Sequence, residues 1–128
     1  MRIGDYEIEP GANLEGADLW KADLTDANLA GANLKNARLA GAKLEGANLT
    51  GANLRDANLT VANLRGAKLM GADITGADLT GADLWDTLMA GATLDGANLM
   101  YASVGRPIRP RPGWLKSVWR IITWRKPD

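Results

Sequence analysis

The sequence predicts an all-β solenoid, a chain that turns after every five residues and winds into a column. Three observations carry that prediction. Nineteen consecutive pentapeptides run from Gly11 to Gly105 without insertion or deletion. The second residue of the pentad is Ala in 18 of the 19, with Thr87 the exception, and the fourth is Leu in 16, with Ile74, Met89 and Val104 as substitutes. The first residue is Gly in 12 and otherwise Lys21, Asp26, Asn36, Asp56, Val61, Asp86 or Tyr101. A strict short period sets the architecture of a repeat protein before any single residue is considered.

A helix places apolar residues near every 3.6 positions and a strand near every 2, and a period of five fits neither over a long run. Within one pentad, however, Ala and Leu lie two apart and face the same side of a short extended segment. The residue between them, Asn or Asp in 13 pentads, points outward. The other two residues turn the chain, and Gly, Asn and Asp tolerate tight or left-handed backbone. Val61 and Tyr101 at the same place argue that positive φ is not obligatory at every corner. A chain that turns the same way after each pentad coils, so Ala and Leu face the axis and stack on their equivalents in the next coil.

Ala12-Asn13-Leu14-Glu15-Gly16, Ala17-Asp18-Leu19-Trp20-Lys21 and their successors resemble the A(D/N)LXX signature of the pentapeptide-repeat family over about three quarters of the chain. The resemblance implies a right-handed quadrilateral β-helix with four pentads per coil. The nineteen pentads then make about 4.75 coils, a column about 23 Å long at the spacing of paired strands. One pentad strains the pattern. In Asp86-Thr87-Leu88-Met89-Ala90, either the register is kept and Leu88 is exposed, or a bulge shifts it.

The flanks differ from the repeat. Residues 1–10, with Ile3, Tyr6, Ile8 and Pro10, are expected to cap the first coil, since open coil ends present unpaired backbone. Residues 106–113 (Arg-Pro-Ile-Arg-Pro-Arg-Pro-Gly) read as an extended linker. Residues 114–128 predict a short basic, amphipathic α-helix. Trp114, Leu115, Val118, Trp119, Ile121 and Ile122 share one arc, and Lys116, Ser117, Arg120 and Thr123 the other. Three roles fit this segment: capping its own column, pairing with a second copy as a homodimer, or lying on an anionic membrane surface.

Composition narrows the chemistry. The chain of 128 residues contains no Phe, His or Cys, which removes thiol nucleophiles, thiolate zinc sites and His-based triads. Asp73, Asp78 and Asp83 recur every five residues and so point to different sides, unlike a paired-carboxylate site. Gly recurs for turns, not as a phosphate-cradling loop before a helix. No enzyme activity, cofactor or metal is expected. Met1 precedes Arg2, Asp5, Glu7 and Glu9, not an apolar run, and no stretch approaches the roughly 18 apolar residues of a membrane span. A cytoplasmic location is the expectation.

The formal net charge of zero hides segregation: residues 1–10 carry −2, the repeat −4 and the segment from Arg106 +6. Along the axis the column reads acidic over residues 11–34, basic over 35–70 and acidic over 71–105. With four pentads per coil, outward residues fall on four sides. Side one carries Glu15, Lys35, Arg55, Thr75 and Asp95; side two Trp20, Ala40, Thr60, Thr80 and Met100, with Val61 and Tyr101 beside them. Side three carries Thr25, Glu45, Arg65 and Trp85. Side four carries Ala30, Thr50, Met70 and Ala90, each followed by Gly, with Leu88 on the same side. Its small, nearly uncharged surface makes Ala30, Thr50, Met70, Leu88 and Ala90 a candidate docking strip. Trp20, Trp85 and Tyr101 are expected to be exposed aromatics.

A non-enzymatic protein-interaction scaffold, its partner unknown, is the function these features favour. The family resemblance also implies an alternative, since some members mimic DNA, bind DNA gyrase or topoisomerase IV and protect against quinolones or toxins. Those are acidic along much of their length, whereas the middle of this column is basic, and a DNA mimic needs continuous negative charge. A peripheral membrane protein anchored by the C-terminal segment is a further alternative. Direct nucleic-acid binding is the least favoured, because the tail's Trp residues suit packing better.

Overall fold

The computed structural model describes residues 1–105, and the expected linker and C-terminal helix lie outside the described residues. The repeat winds into a column whose backbone pairs with itself twenty residues on: Asn13 bridges Asn33, Asn33 bridges Asn53, Asn53 bridges Asp73 and Asp73 bridges Thr93, all in parallel. Twenty-residue pairing means that four pentads complete each coil. Each wall is too short for more than a single bridge residue, so the described repeat is a stack of isolated β-bridges.

The hydrogen bonding repeats from rung to rung. Leu54 N–H donates to the Asp73 carbonyl at 2.7 Å, Asp73 N–H to the Ala52 carbonyl at 2.9 Å, and Asp56 N–H to the Thr75 carbonyl at 3.0 Å. Between walls, a turn closes the corner: Ala57 N–H donates to the Leu54 carbonyl at 3.1 Å. The third residue of that turn, Asp56, has φ 57°. Positive φ at the third residue alone is the signature of a type II turn. Before the first pentad, Glu9-Pro10-Gly11-Ala12 makes the same turn, with Ala12 N–H on the Glu9 carbonyl at 3.2 Å and Gly11 at φ 71°. Proline fits the second position of such a turn and glycine the third.

All nineteen corners take positive φ, including Val61 at 51° and Tyr101 at 60°. The sequence expectation that these two residues exempt their corners is therefore wrong. Local preference argued against left-handed backbone for a β-branched residue. The coil decides otherwise: Ala62 N–H donates to the Leu59 carbonyl and Ala102 N–H to the Leu99 carbonyl, each at 3.0 Å, closing the same turn as at the other corners, and Val61 N–H also donates to the Thr80 carbonyl of the next coil at 2.8 Å.

Ala and Leu fill the interior as expected. From Leu24 to Leu79 the central residues are at most 1 % exposed. Fully burying a Leu side chain contributes about 1.5–3 kcal/mol, and the core holds one such residue per pentad. Thr87 is the one buried polar residue among the described residues, and its hydroxyl donates to the Leu64 carbonyl at 2.8 Å. That bond removes the cost of placing a hydroxyl in the Ala column. The register holds through this pentad: Leu88 bridges Lys68, and its side chain is 52 % exposed.

At the front, β1 (Arg2–Ile3) pairs antiparallel with β2 (Tyr6–Glu7). Ile8 is buried, and Ile3 and Tyr6 pack against the core. The Tyr6 hydroxyl accepts the Asp18 N–H at 3.1 Å, a donor that in later coils finds a carbonyl of the preceding coil. The hairpin thus covers part of the open first rung.

Candidate interaction surface

The Asn or Asp before each central residue has a second role besides facing outward. In all 13 pentads that carry one, its side-chain oxygen accepts the backbone N–H two residues on, at 3.0–3.4 Å. Such Asx bonds hold the chain entering the corner. At Thr25, Thr60, Thr75 and Thr80 the hydroxyl joins, as from Thr75 to Asp73 at 2.5 Å and from Thr25 to Asp23 at 2.7 Å. The hydroxyl of Thr75 is the main reason the Asp73 carboxyl titrates below its usual range, with burial opposing and the Arg55 guanidinium assisting. Asp23 is lowered first by the Thr25 hydroxyl and then by the Thr25 amide. Hydrogen bonds to the charged form favour it.

The axial charge bands resolve into pairs within a side. Arg38 meets Asp18 at 3.4 Å, Arg55 meets Asp73 at 3.2 Å and Arg65 meets Asp83 at 3.7 Å, each one coil apart. Three of the six bases in the middle band thus pair with acids in the coils on either side. Exposed pairs of this kind contribute little stability.

The expected docking strip is in line on side four. Ala30, Thr50 and Met70 are half-buried, whereas Leu88 and Ala90 are exposed. A methyl group placed on Gly31, Gly51 or Gly71 would meet nothing within 4 Å, so this corner is flat and open. Side two carries the larger exposed apolar groups: Trp20 at 59 %, Val61 at 66 %, Met100 at 47 % and Tyr101 at 68 %. They share the corner made by residues 20 and 21, 60 and 61, and 100 and 101. The Lys21 ammonium lies 4.5 Å from the Trp20 ring centroid, within cation–π range.

Trp85 corrects an expectation. It is half-buried, because its indole lies against the backbone of Gly105 one coil later, where no side chain could stand. The Arg65 guanidinium sits 5.8 Å from its centroid. Together with Asp26, Glu45 and Asp86 these residues line an open groove of about 550 Å³ along side three. Sequence reasoning placed Thr25, Glu45, Arg65 and Trp85 on one side but missed the groove. Its signal was present in the acidic corner residues Asp26 and Asp86, sixty positions apart and hence three coils apart.

Among the described residues no group of three His, Cys, Asp or Glu side chains is placed to hold a metal ion, and no helix is long and apolar enough to cross a membrane. A stack of four-pentad coils with an Ala/Leu interior and type II corners defines a pentad solenoid. The family model for pentapeptide repeats matches in eight copies over residues 11–46, 37–76, 47–86 and 77–104, and the chain belongs to the pentapeptide repeat family. Among solved structures it is similar to a pentapeptide repeat protein of the Arabidopsis thaliana thylakoid lumen, with 30% identity and a TM-score of 0.59 over 85% of this chain and 73% of that one. It is also similar to the pentapeptide repeat protein Rfr23 of the cyanobacterium Cyanothece, with 31% identity and a TM-score of 0.46 over 77% of this chain and 88% of that one. QnrB1, a plasmid-mediated fluoroquinolone resistance protein, aligns at 18% identity with a TM-score of 0.41 over 77% of this chain and 64% of that one. No curated protein matches the chain.

Proposed function

We propose that this protein is a non-enzymatic interaction scaffold whose partner docks along the side-two corner. The observation that carries the proposal is Val61. It holds left-handed backbone at φ 51° while 66 % exposed. Left-handed backbone costs a residue with a Cβ roughly 1–2 kcal/mol, and an exposed apolar group returns little of it to the fold. Trp20, Met100 and Tyr101 continue the same corner, and the glycines of the neighbouring coils, Gly41 and Gly81, lie beneath the Lys21 and Val61 side chains. Strain held at an exposed position points to a use outside the fold. Side four, flat and lined by glycine corners, is the face for comparison.

A photo-crosslinking side chain placed at position 101 and, separately, at position 51 tests this reading in the source cell. The scaffold reading expects a discrete protein adduct from position 101 and none from position 51. Equal adducts from both, or none from position 101, would count against side two.

The gyrase alternative gains nothing from the charge arrangement, since Arg38, Arg55 and Arg65 neutralise carboxylates on three outer walls. On this reading micromolar protein leaves gyrase supercoiling unchanged with and without quinolone; protection would restore the alternative.

A further inference from the structure

The corner that joins sides two and three carries a charge pattern as well as apolar groups. Its corner residues Lys21, Gly41, Val61, Gly81 and Tyr101 stand at five successive levels of the column. On the side-two wall the bridged ladder reads Asp18, Arg38, Asn58, Asp78 and Asn98 from level to level. On the side-three wall it reads Asp23, Lys43, Asn63, Asp83 and Ser103. Both walls therefore carry a base at the second level, an amide at the third and an acid at the fourth. Val61 stands midway, at the third level, with Trp20 and Lys21 at one end and Met100 and Tyr101 at the other.

We propose that this ridge pairs with the same ridge of a second copy, antiparallel, about a two-fold axis at Val61; the inference rests on the docking role given above to side two and names its partner. A two-fold interface brings one patch against itself, so the patch must be self-complementary. Inverting one copy about the third level sets side two against side two and side three against side three. The second level then meets the fourth: Arg38 faces Asp78 and Lys43 faces Asp83, each twice. Asn58 and Asn63 meet their own counterparts, and amides both donate and accept. At the ends Trp20 faces Met100 and the Lys21 ammonium faces the Tyr101 ring, a thioether–aromatic and a cation–π contact. Asp18 and Asp23 meet the uncharged Asn98 and Ser103. Arg38 and Asp83 keep their own-chain partners, Asp18 at 3.4 Å and Arg65 at 3.7 Å, because a guanidinium and a carboxylate each serve more than one. Lys21 leans over Gly41 and Val61 over Gly81, with Cγ and Cγ1 at 3.2 and 3.1 Å from where a Cβ would stand. The inverted copies lean in opposite directions, so the two valines lie side by side. Other arrangements lose the match. A parallel two-fold sets side two against side three at equal levels, so that Asp18 meets Asp23, Arg38 meets Lys43 and Asp78 meets Asp83. Sliding the antiparallel pair by one coil sets Asp18 against Asp78, or Arg38 against Asn98. The ridge spans about 19 Å, four steps of about 4.8 Å. That is a small contact, so the dimer is weak and separates on dilution.

Sedimentation equilibrium of the full-length chain tests the dimer. Val61→Asp and Val61→Lys each set a charge against its own copy at the axis. Asp26 and Lys21 already hold this corner position with positive φ, so both variants keep the turn, and an otherwise unchanged amide spectrum verifies it. The parent is expected to show a monomer–dimer equilibrium, with its dissociation constant raised about a hundredfold in either variant and restored in an equimolar mixture of the two. Orientation is read by cross-linking, since the chain has no cysteine of its own. When a Lys21→Cys chain is mixed with a Tyr101→Cys chain, antiparallel copies link 21 to 101, whereas parallel copies link each position to itself. A monomeric parent, a dimer that persists in Val61→Asp, a mixture that stays monomeric, or links between like positions overturns the proposal. The docking reading fails separately: an in-cell adduct from position 101 whose mass differs from two chains keeps side two as a docking corner while removing the second copy.

Discussion

Two corners of one column share a backbone and differ in what they place on it. On side four, Gly31, Gly51, Gly71 and Gly91 fill the left-handed position in successive coils, at φ 66–73°. On side two the same position holds Lys21, Gly41, Val61, Gly81 and Tyr101, at φ 51–69°. The hydrogen bonds are alike: Gly51 N–H reaches the Met70 carbonyl at 2.9 Å and Val61 N–H the Thr80 carbonyl at 2.8 Å. The difference teaches that the corner conformation belongs to the coil and not to the residue. Glycine is where the fold is served most cheaply, and the partner surface proposed above rests on the apolar residues that replace it on side two.

The comparison is broken most severely from inside the walls. Leu49→Ala, at a fully buried position on side four, is expected to lower stability by about 2–5 kcal/mol in denaturant unfolding. Leu88→Ala on the same side, with its side chain 52 % exposed, is expected to stay within about 0.5 kcal/mol. Similar losses for the two would mean that Leu88 is buried by something outside the described column.

At the corners, Gly51→Val asks side four to do what side two does. A Cβ at Gly51 meets nothing within 4 Å, so sterics are not at issue and backbone strain alone is tested. The expected loss is about 1–2 kcal/mol. Gly46 is a different case, because a Cβ there would collide with the Asp26 carboxylate.

Smaller is the Asx bond. Asn53→Ala removes the acceptor that the Arg55 amide uses at 3.0 Å and is expected to cost about 0.5–1.5 kcal/mol. No loss would show that water replaces the side-chain oxygen freely. Smallest is a titration. Thr75→Val deletes the leading cause of the lowered Asp73 carboxyl, so its midpoint by NMR should move up toward the ordinary carboxylate value. The sign for stability follows. A carboxyl depressed in the folded state stabilises above its unfolded pKa of about 3.9. That contribution fades as pH falls through the folded value, and the variant should lose less stability than the parent on acidification through that range.

Much of this was legible in the sequence. The Ala/Leu interior follows from period and polarity; the twenty-residue coil came with the resemblance to the pentapeptide-repeat family, and Leu88 stood between exposure and a bulge until its bridge to Lys68 fixed the register. The left-handed backbone at Val61 and Tyr101 did not follow, because residue preference is local whereas the corner is closed by the turn bond and, at Val61, by a further bond to the next coil. The Asn and Asp residues were visible as a column, but an outward-facing amide looks the same whether it meets water or the backbone. Trp85 looked exposed because its cover is Gly105, a contact that exists only once the last coil is closed. The acidic flanks and basic middle read as bands until pairing across one coil turned them into Arg38–Asp18, Arg55–Asp73 and Arg65–Asp83.

The central claim is that side two keeps residues the column does not need. Denaturant unfolding of Val61→Gly tests it most directly. Relief of strain worth about 1–2 kcal/mol outweighs the roughly 0.5–1 kcal/mol that glycine's extra freedom costs. The account predicts a midpoint above that of the parent with an unchanged slope; a midpoint clearly below it would show that Val61 serves the fold and would contradict the claim.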